Sequence, residues 1–434
     1  MNSNLIQKNK FINFFSILIY LFPLSIIIGN FYSNLVVSIS SFFFLIYSIT
    51  KQKENLNNNF FKFFLIFWFL IVLSSLFSSE ILFSFKSSFF FIRYALFCLL
   101  IKFLIINNKF FLTKFFKINL ILLIFISLDA LIQFYFGKNL FGILASQIEN
   151  NRISGVFGKE LILGSFITKV AFILFAINYF KNRNYYNFFL ISFFFIIVFI
   201  TGERASFFLF AIGVFYSFIF IKDKKIYIFF LITSLIVLGA IIVNKDALKK
   251  RMLTQTYEQI YSGNNNNNNA QRKLFLFSEG HQVLMLNSLN MFYQNPILGI
   301  GTNLYRFECE KEKYFISGKY YPNFGSGKNL INHCNTHPHN YYVQILAETG
   351  IIGGFFLFFA LIKFINYSIR NFYTQIKRKK YIGQYEVFIS SAIIINIWPF
   401  ITTGNFFGSS AANLFWLPVG FFLASIESSK KKKF

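Results

Sequence analysis

The chain has 434 residues, of which 56% are hydrophobic, 22% aromatic and only 13% charged, with a mean hydropathy of +0.55 and a net charge of +26. Soluble domains carry about 25% charged residues, so this composition excludes a secreted soluble enzyme, a disordered regulator and a coiled coil. It predicts an all-α integral membrane protein, and the basic excess then reads as membrane topology rather than nucleic-acid binding.

Apolar runs of about 20 residues cross roughly 30 Å of hydrocarbon. In chain order they fall near 11–29, 31–50, 63–79, 88–106, 115–136 and 160–180, then 185–201, 205–221, 226–243, 341–362, 386–402 and 411–428. The first follows Lys8 and Lys10 as a signal peptide would, but it is long and has no clean small-residue cleavage site, which predicts a retained span. The pattern predicts about 12 transmembrane helices: nine over 1–243, one large extracytoplasmic loop over 244–340, and three more with a basic tail over 341–434. Segments that are cytoplasmic when the N-terminus is inside carry 24 Lys and Arg, against five in the short loops opposite (Lys86, Lys138, Arg152, Lys159 and Arg204). That asymmetry predicts both termini inside. Reporter fusions after Lys225 and Lys380 are expected to report cytoplasm, and one at Ser262 the opposite side. A cytoplasmic signal at Ser262 would remove the basis for everything read from the large loop.

The 244–340 loop is far longer than the others, and structureless connections beyond about 12–15 residues are usually functional. It holds all four histidines and two of the three cysteines. In order it offers a basic entry (Lys245, Lys249, Lys250, Arg251) and an Asn264–Asn269 tract that reads as compositional drift. An amphipathic helix near 271–293 follows, then Asn295-Pro296, the Gly299-Ile300-Gly301 turn, and a polar segment reaching His339. His337-Pro338-His339-Asn340 precedes an apolar helix. The pair can be a zinc fragment, with His333 and Cys334 near but no recognisable third and fourth ligand spacing. It can equally be surface histidines at a helix start, or a general base with a pKa near 6.5. Cys309 and Cys334 lie 25 positions apart on what reads as the outer side, where a disulfide and two free thiols fit equally well; Cys98 falls in a span.

His339-Asn340 followed by Gly350-x-x-Gly353 resembles the motif of O-antigen ligases and the related O-antigen polymerases. Thr201-Gly202-Glu203-Arg204-Ala205-Ser206 resembles the family's arginine-bearing turn between two spans. Arg272 with the amphipathic helix and Asn295-Pro296-Ile297-Leu298-Gly299-Ile300-Gly301 resembles its outer loop. The pieces cover about 201–354, in order and on one membrane face. The resemblance implies a metal-independent, inverting glycosyltransferase without cofactor. Its catalytic base would be His339, and its pyrophosphate-binding arginines Arg204 and Arg272. Asn151–Gly158 resembles a family loop near the active site, so Arg152 joins His337, Asn340 and Glu348 as supporting candidates. The implied partners are a polyprenyl-pyrophosphate-linked glycan donor, a lipid A–core acceptor and membrane lipids, and the implied location is the bacterial inner membrane with the active site facing the periplasm.

Without the resemblance, Arg204 reads as a snorkelling anchor, Arg272 as a solvated loop charge, His281 as a helix-surface residue and Glu203 as a group orienting Arg204. Arg93, Asp129 and Lys169 fall in spans, and Asp129 could pair with either cation. An O-antigen polymerase, with the same donor and a growing lipid-linked chain as acceptor, is the nearest alternative, and a polysaccharide or lipid transporter a distant one. Transport is disfavoured by the lack of an internal repeat.

Overall fold

The computed structural model describes residues 2–146, 152–179, 184–262, 273–274, 277–317, 330–378, 383–408 and 410–431. Helix dominates: α1 (Asn2–Tyr20), α2 (Phe22–Ile28), α3 (Asn30–Lys51), α4 (Asn59–Ser75), α5 (Ile81–Phe89), α6 (Arg93–Asn107), α7 (Phe111–Phe136), α8 (Leu163–Tyr179), α9 (Asn184–Ile200), α10 (Arg204–Phe220) and α11 (Lys224–Asn244). The short α12 (Asp246–Lys249) and α13 (Gln255–Ile260) flank a π-helical turn at Lys250–Thr254; α14 (Glu279–Gln294), α15 (Tyr305–Glu308), α16 (Tyr341–Arg378), α17 (Gln384–Ile397) and α18 (Ser410–Lys431) complete the series. The described strands are two residues each: β1 (Tyr261–Ser262) pairs with β2 (Lys273–Leu274), and β3 (Ile316–Ser317) with β4 (Leu330–Ile331), both antiparallel.

Among the described residues five helical stretches are long and apolar enough to cross a membrane: Asn30–Lys51, Ile81–Asn107, Phe111–Phe136, Lys224–Asn244 and Tyr341–Lys377. Lys8–Tyr20 and Phe22–Ile28 make a sixth when taken as one span bent by 43°. Pro23 sits in the first turn of α2, where its missing N–H costs no helical bond. The apolar helices Asn59–Ser75, Leu163–Asn178, Tyr185–Ile200, Arg204–Phe220, Gln384–Ile397 and Ala411–Glu427 are shorter, and about twelve spans require these to cross as well. The chain is a multi-pass membrane protein, and its surface agrees: Phe31, Ile121, Phe215 and Val243 are exposed side chains that only lipid would cover at low cost.

The core is centred on α6 and α8. Tyr94–Ile101 of α6 are all buried between α3 and α18, and α8 is buried against α9 and α17. Lys102 Nζ meets Glu427 Oε2 at 2.5 Å, joining the C-terminal ends of α6 and α18. Since α7 starts directly after α6 and runs for 26 residues, its far end lies at the opposite end of the bundle. There Gly137, at φ 75, closes α7 by donating its N–H to Gln133 O at 2.9 Å. The ends of α9 and α11 join it around one cavity.

Three expectations change. Where a helix was predicted from 271, Lys273–Leu274 is a strand paired to Tyr261–Ser262, and α14 begins only at Glu279; edge pairing satisfies backbone groups that an isolated helical turn leaves open. The helix after His339 runs to Arg378 with a break at Gly350 (φ 63, ψ −162). Asp129 takes its hydrogen bonds from Asn139 Nδ2 and Leu140 N, both at 3.0 Å, so it folds the following loop back onto α7 rather than meeting Arg93. Arg93 instead reaches Asn34 Oδ1 and the Tyr94 hydroxyl.

Candidate functional site

The histidine segment is built from the backbone outwards. Asn340 Oδ1 accepts from Tyr342 N at 3.0 Å and Val343 N at 3.3 Å, capping α16. Its Nδ2 donates to Pro399 O at 2.8 Å, tying the cap to the chain after α17. Just before the cap, His339 has φ 57, a left-handed conformation that a side chain adopts at a cost of roughly 1–3 kcal/mol. Thr403 N donates to His339 O at 2.8 Å and holds it there.

His337 Nε2 lies 3.2 Å from Thr403 O, which can only accept, so Nε2 carries the proton and Nδ1 accepts from the Thr336 hydroxyl at 2.9 Å. On His339 the network assigns the reverse. Asn335 Oδ1 accepts from Thr336 N, which turns Asn335 Nδ2 toward His339 Nε2 at 3.1 Å, and Nε2 is therefore the acceptor nitrogen. The ring centroids of His337 and His281 lie 4.1 Å and 5.1 Å from that of His339. His281 thus departs from the helix-surface reading: α14 packs on α16 and turns it inward, and the Ser278 hydroxyl meets its Nδ1 at 2.5 Å. Its position beside His339, about 58 residues away in sequence, carries no local sequence signal. His333 Nδ1 lies 3.2 Å from Gly280 O at the start of the same helix.

The pKa values of His339, His281 and His337 are all lowered. Burial lowers the pKa of His339 below its usual 6.5, with the His333 charge adding to the shift and the Thr403 carbonyl opposing it. Burial, then His339, His333 and Arg204, push His281 down to about 4. Burial, then His339, take His337 to about 3. Among the described residues no three His, Cys, Asp or Glu side chains are grouped as ligands of one metal ion.

The Gly299 turn and the Gly350 break form one unit. Ile300 N donates to Ala347 O at 2.9 Å, Gly301 N to Glu348 O at 3.0 Å, and Ile351 N to Pro296 O at 2.8 Å. The carbonyls that the break releases are thereby paired. The approach demands two glycines: a Cβ on Gly299 would fall 2.4 Å from Glu348 C, and one on Gly350 2.1 Å from Ile297 O. The Glu348 carboxylate is fully buried and accepts from Asn303 N (2.8 Å), Tyr305 N (3.2 Å) and Gln344 Nε2 (3.2 Å), so it supports the turn. Ser74 Oγ donates to Leu298 O and Thr302 Oγ1 to Ser84 O, which docks the turn on α4 and α5. Cys309, at the end of α15, is bonded to Cys334 in the histidine segment, with Cα atoms 5.3 Å apart.

The arginines gather at the Thr201–Arg204 turn. Arg204 Nη1 lies 3.4 Å from Thr256 Oγ1, and its charge acts on His281. Arg152 donates to Leu161 O at 3.0 Å and acts electrostatically on Glu203. Arg251, read from the sequence only as part of a basic entry, donates from Nε to Gly202 O at 3.4 Å. Glu203 is not an orienting partner of Arg204: its carboxylate accepts from Gly164 N (2.7 Å), Ser165 N (3.1 Å) and the Ser206 hydroxyl (2.8 Å), closing the start of α8. Burial raises its pKa, partly offset by those bonds and by Arg152. Arg272 lies outside the described residues.

Fold and site together define a multi-pass helical membrane protein with a histidine and arginine centre at one end of its bundle. Residues 187–358 match the model of the O-antigen ligase family, a match that supports this family for the chain. It supports a ligase- or polymerase-type function and a glycosyltransferase-like activity in general, with lipid-linked glycan and lipid A–core as the kinds of partner. No curated protein matches the chain.

Proposed function

We propose that the chain transfers a glycan from polyprenyl pyrophosphate to lipid A–core at the periplasmic face of the inner membrane, by direct displacement and without a metal. The observation that carries this reading is the gathering of His337 and His281 around His339, with ring centroids 4.1 Å and 5.1 Å away, on elements that neighbour the Arg204 turn. In this reading a phosphate-gripping fork and a base share one site. The acceptor hydroxyl would take the place of the Asn335 amide at His339 Nε2. As its oxygen attacks the anomeric carbon, its proton passes to Nε2 and the bond from that carbon to the pyrophosphate oxygen breaks, inverting the carbon. Arg204 and Arg272 would hold the departing pyrophosphate through bidentate contacts, which supply charge stabilisation otherwise given by a metal.

The test is transfer from purified lipid-linked donor, offered either lipid A–core or a second lipid-linked chain. Product on lipid A–core supports the ligase, and product on the lipid-linked chain alone makes the protein a polymerase. Arg204→Lys is expected to lower transfer by roughly 10–100-fold, because an ammonium cannot reproduce a guanidinium fork. A membrane anchor would tolerate that exchange. EDTA should leave transfer unchanged; loss restored by zinc would make His337 and His339 ligands.

A further inference from the structure

A cavity of about 290 Å³ lies between the ends of α7, α9 and α11, with Phe134, Leu144, Ile153, Ile200 and Leu248 in its lining. Tyr135, Phe136, Leu140 and Phe141, which lie between lining residues in sequence or next to them, are all exposed. In a membrane protein an exposed apolar surface of that kind suits acyl chains. A cation also lines the cavity: Lys245 Nζ stands 5.2 Å from the Phe134 ring centroid and 5.7 Å from that of Tyr135.

The opposite wall includes Gly202. At φ +71, a Cβ on Gly202 would meet Arg152 Cγ at 3.4 Å, Arg251 Cγ at 3.7 Å and Leu248 Cδ1 at 3.9 Å. Two arginine stems therefore lie against the turn that lines the cavity, and two residues along the same turn comes Arg204, whose charge acts on His281. Arg251 projects from the π-helical turn at Lys250–Thr254, an irregularity often found at functional sites. Glu203, in the same turn, is engaged by two backbone N–H groups and a hydroxyl and also feels the Arg152 charge. Neighbour by neighbour the order is a cavity of mixed apolar and polar lining, the Arg152 and Arg251 stems against Gly202, then Arg204 and the His281–His339 pair. An amphiphile with a hydrocarbon tail, an anionic linker and a sugar has that same order.

We infer that the cavity takes the isoprenoid units adjoining the donor's pyrophosphate, with Arg251 and Arg152 on the phosphate nearer the lipid and Arg204 on the phosphate nearer the sugar. This rests on the donor class proposed above. Within a bilayer the tail gains little by leaving one apolar phase for another, so the cavity sets the donor's register while the arginines supply the affinity.

A water-soluble probe exposes both contributions. Binding of farnesyl pyrophosphate and of inorganic pyrophosphate is measured on the purified full chain. The wild type is expected to prefer the farnesyl compound by roughly tenfold or more. Leu144→Trp, at the exposed rim, and Ala145→Trp, in the lining, are expected to erase that preference while leaving inorganic pyrophosphate binding as it was. Arg251→Gln should weaken both ligands by roughly tenfold or more. Melting curves confirm that each variant is folded, and Leu144→Trp keeps the test valid should the Ala145 variant fail to fold. A farnesyl preference that survives Leu144→Trp, or unchanged pyrophosphate binding in Arg251→Gln, overturns the inference and leaves the transferase reading intact. A folded wild type that binds no pyrophosphate ligand and transfers no glycan overturns that reading itself.

Discussion

Replacing His339 with alanine is expected to lower glycan transfer by roughly 10²–10⁴-fold, the usual worth of a general base, while donor binding stays within a few-fold of wild type. The separation follows from the geometry: the ring's acceptor nitrogen faces Asn335 at the exposed side of the segment, whereas the clustered arginines lie around the Gly202 turn. The pH profile gives an independent check. The pKa of His339 lies below 6.5, so the base is already neutral at pH 7 and the rate should stay level down to about pH 6.5 and fall only beneath it. Stability should move the same way. A histidine whose folded pKa is depressed takes up its proton more readily when unfolded, so stability is retained above about pH 6.5 and falls as the pH drops below it. His281 and His337, lowered to about 4 and about 3, add to that acid sensitivity. Wild-type transfer by His339→Ala, or an acid limb centred above pH 7, would remove His339 as the base.

The second large effect is expected at a residue with no functional group. In Gly350→Ala the new Cβ would fall 2.1 Å from Ile297 O at a φ of 63. The Asn295–Gly301 turn must then move, and the three backbone bonds joining it to α16 are lost or stretched. The strained conformation alone costs roughly 1–3 kcal/mol. Since α16 also carries the Asn340 cap beside His339, a displacement of about 1 Å is expected to cost roughly 10²-fold in transfer. Gly239→Ala is the contrast: it lies in α11 with nothing within 4 Å of its added Cβ, and should melt and transfer like wild type. Wild-type melting and transfer by Gly350→Ala would show that the turn and the break do not act as one unit.

What the sequence made legible was whatever repeats locally. Apolar runs marked the helices, and Asn340 announced a helix start because capping is decided within three residues. The residues His337, His339 and Asn340 were readable as a short unit, and the structure gathers all three around Thr403 and Pro399. What escaped notice was contact between distant segments. His281 meets His339 only because α14 packs on α16, and Arg251 reaches Gly202 only because α12 and its π-helical turn fold back over the end of α9. Gly299 and Gly350 were both visible as motif glycines, yet that each exists to admit the other is a fact about packing across about 50 residues. Asp129 and Glu203 show the converse. Charge alone suggested salt bridges, but each carboxylate binds backbone N–H groups, because an open loop or helix start offers donors at no extra desolvation.

Under the proposed topology the Cys309–Cys334 bond couples the histidine segment to its compartment. In a reducing compartment the two thiols stay apart, and the stretches around them are then joined by the Asn332 side-chain amide on Cys309 O at 3.2 Å and the Tyr305 hydroxyl on His333 O at 3.1 Å. Under oxidising conditions the same pair closes a loop of 25 positions, removing disorder from the open chain worth about 3 kcal/mol. His337 and His339 follow Cys334 by three and five residues, so the shape of the base's surroundings is completed by an electron-transfer event. Under the proposed topology a newly made chain would hold its histidine segment only through the hydrogen bonds to Thr403 and Pro399, and would gain the covalent tie once the loop is outside.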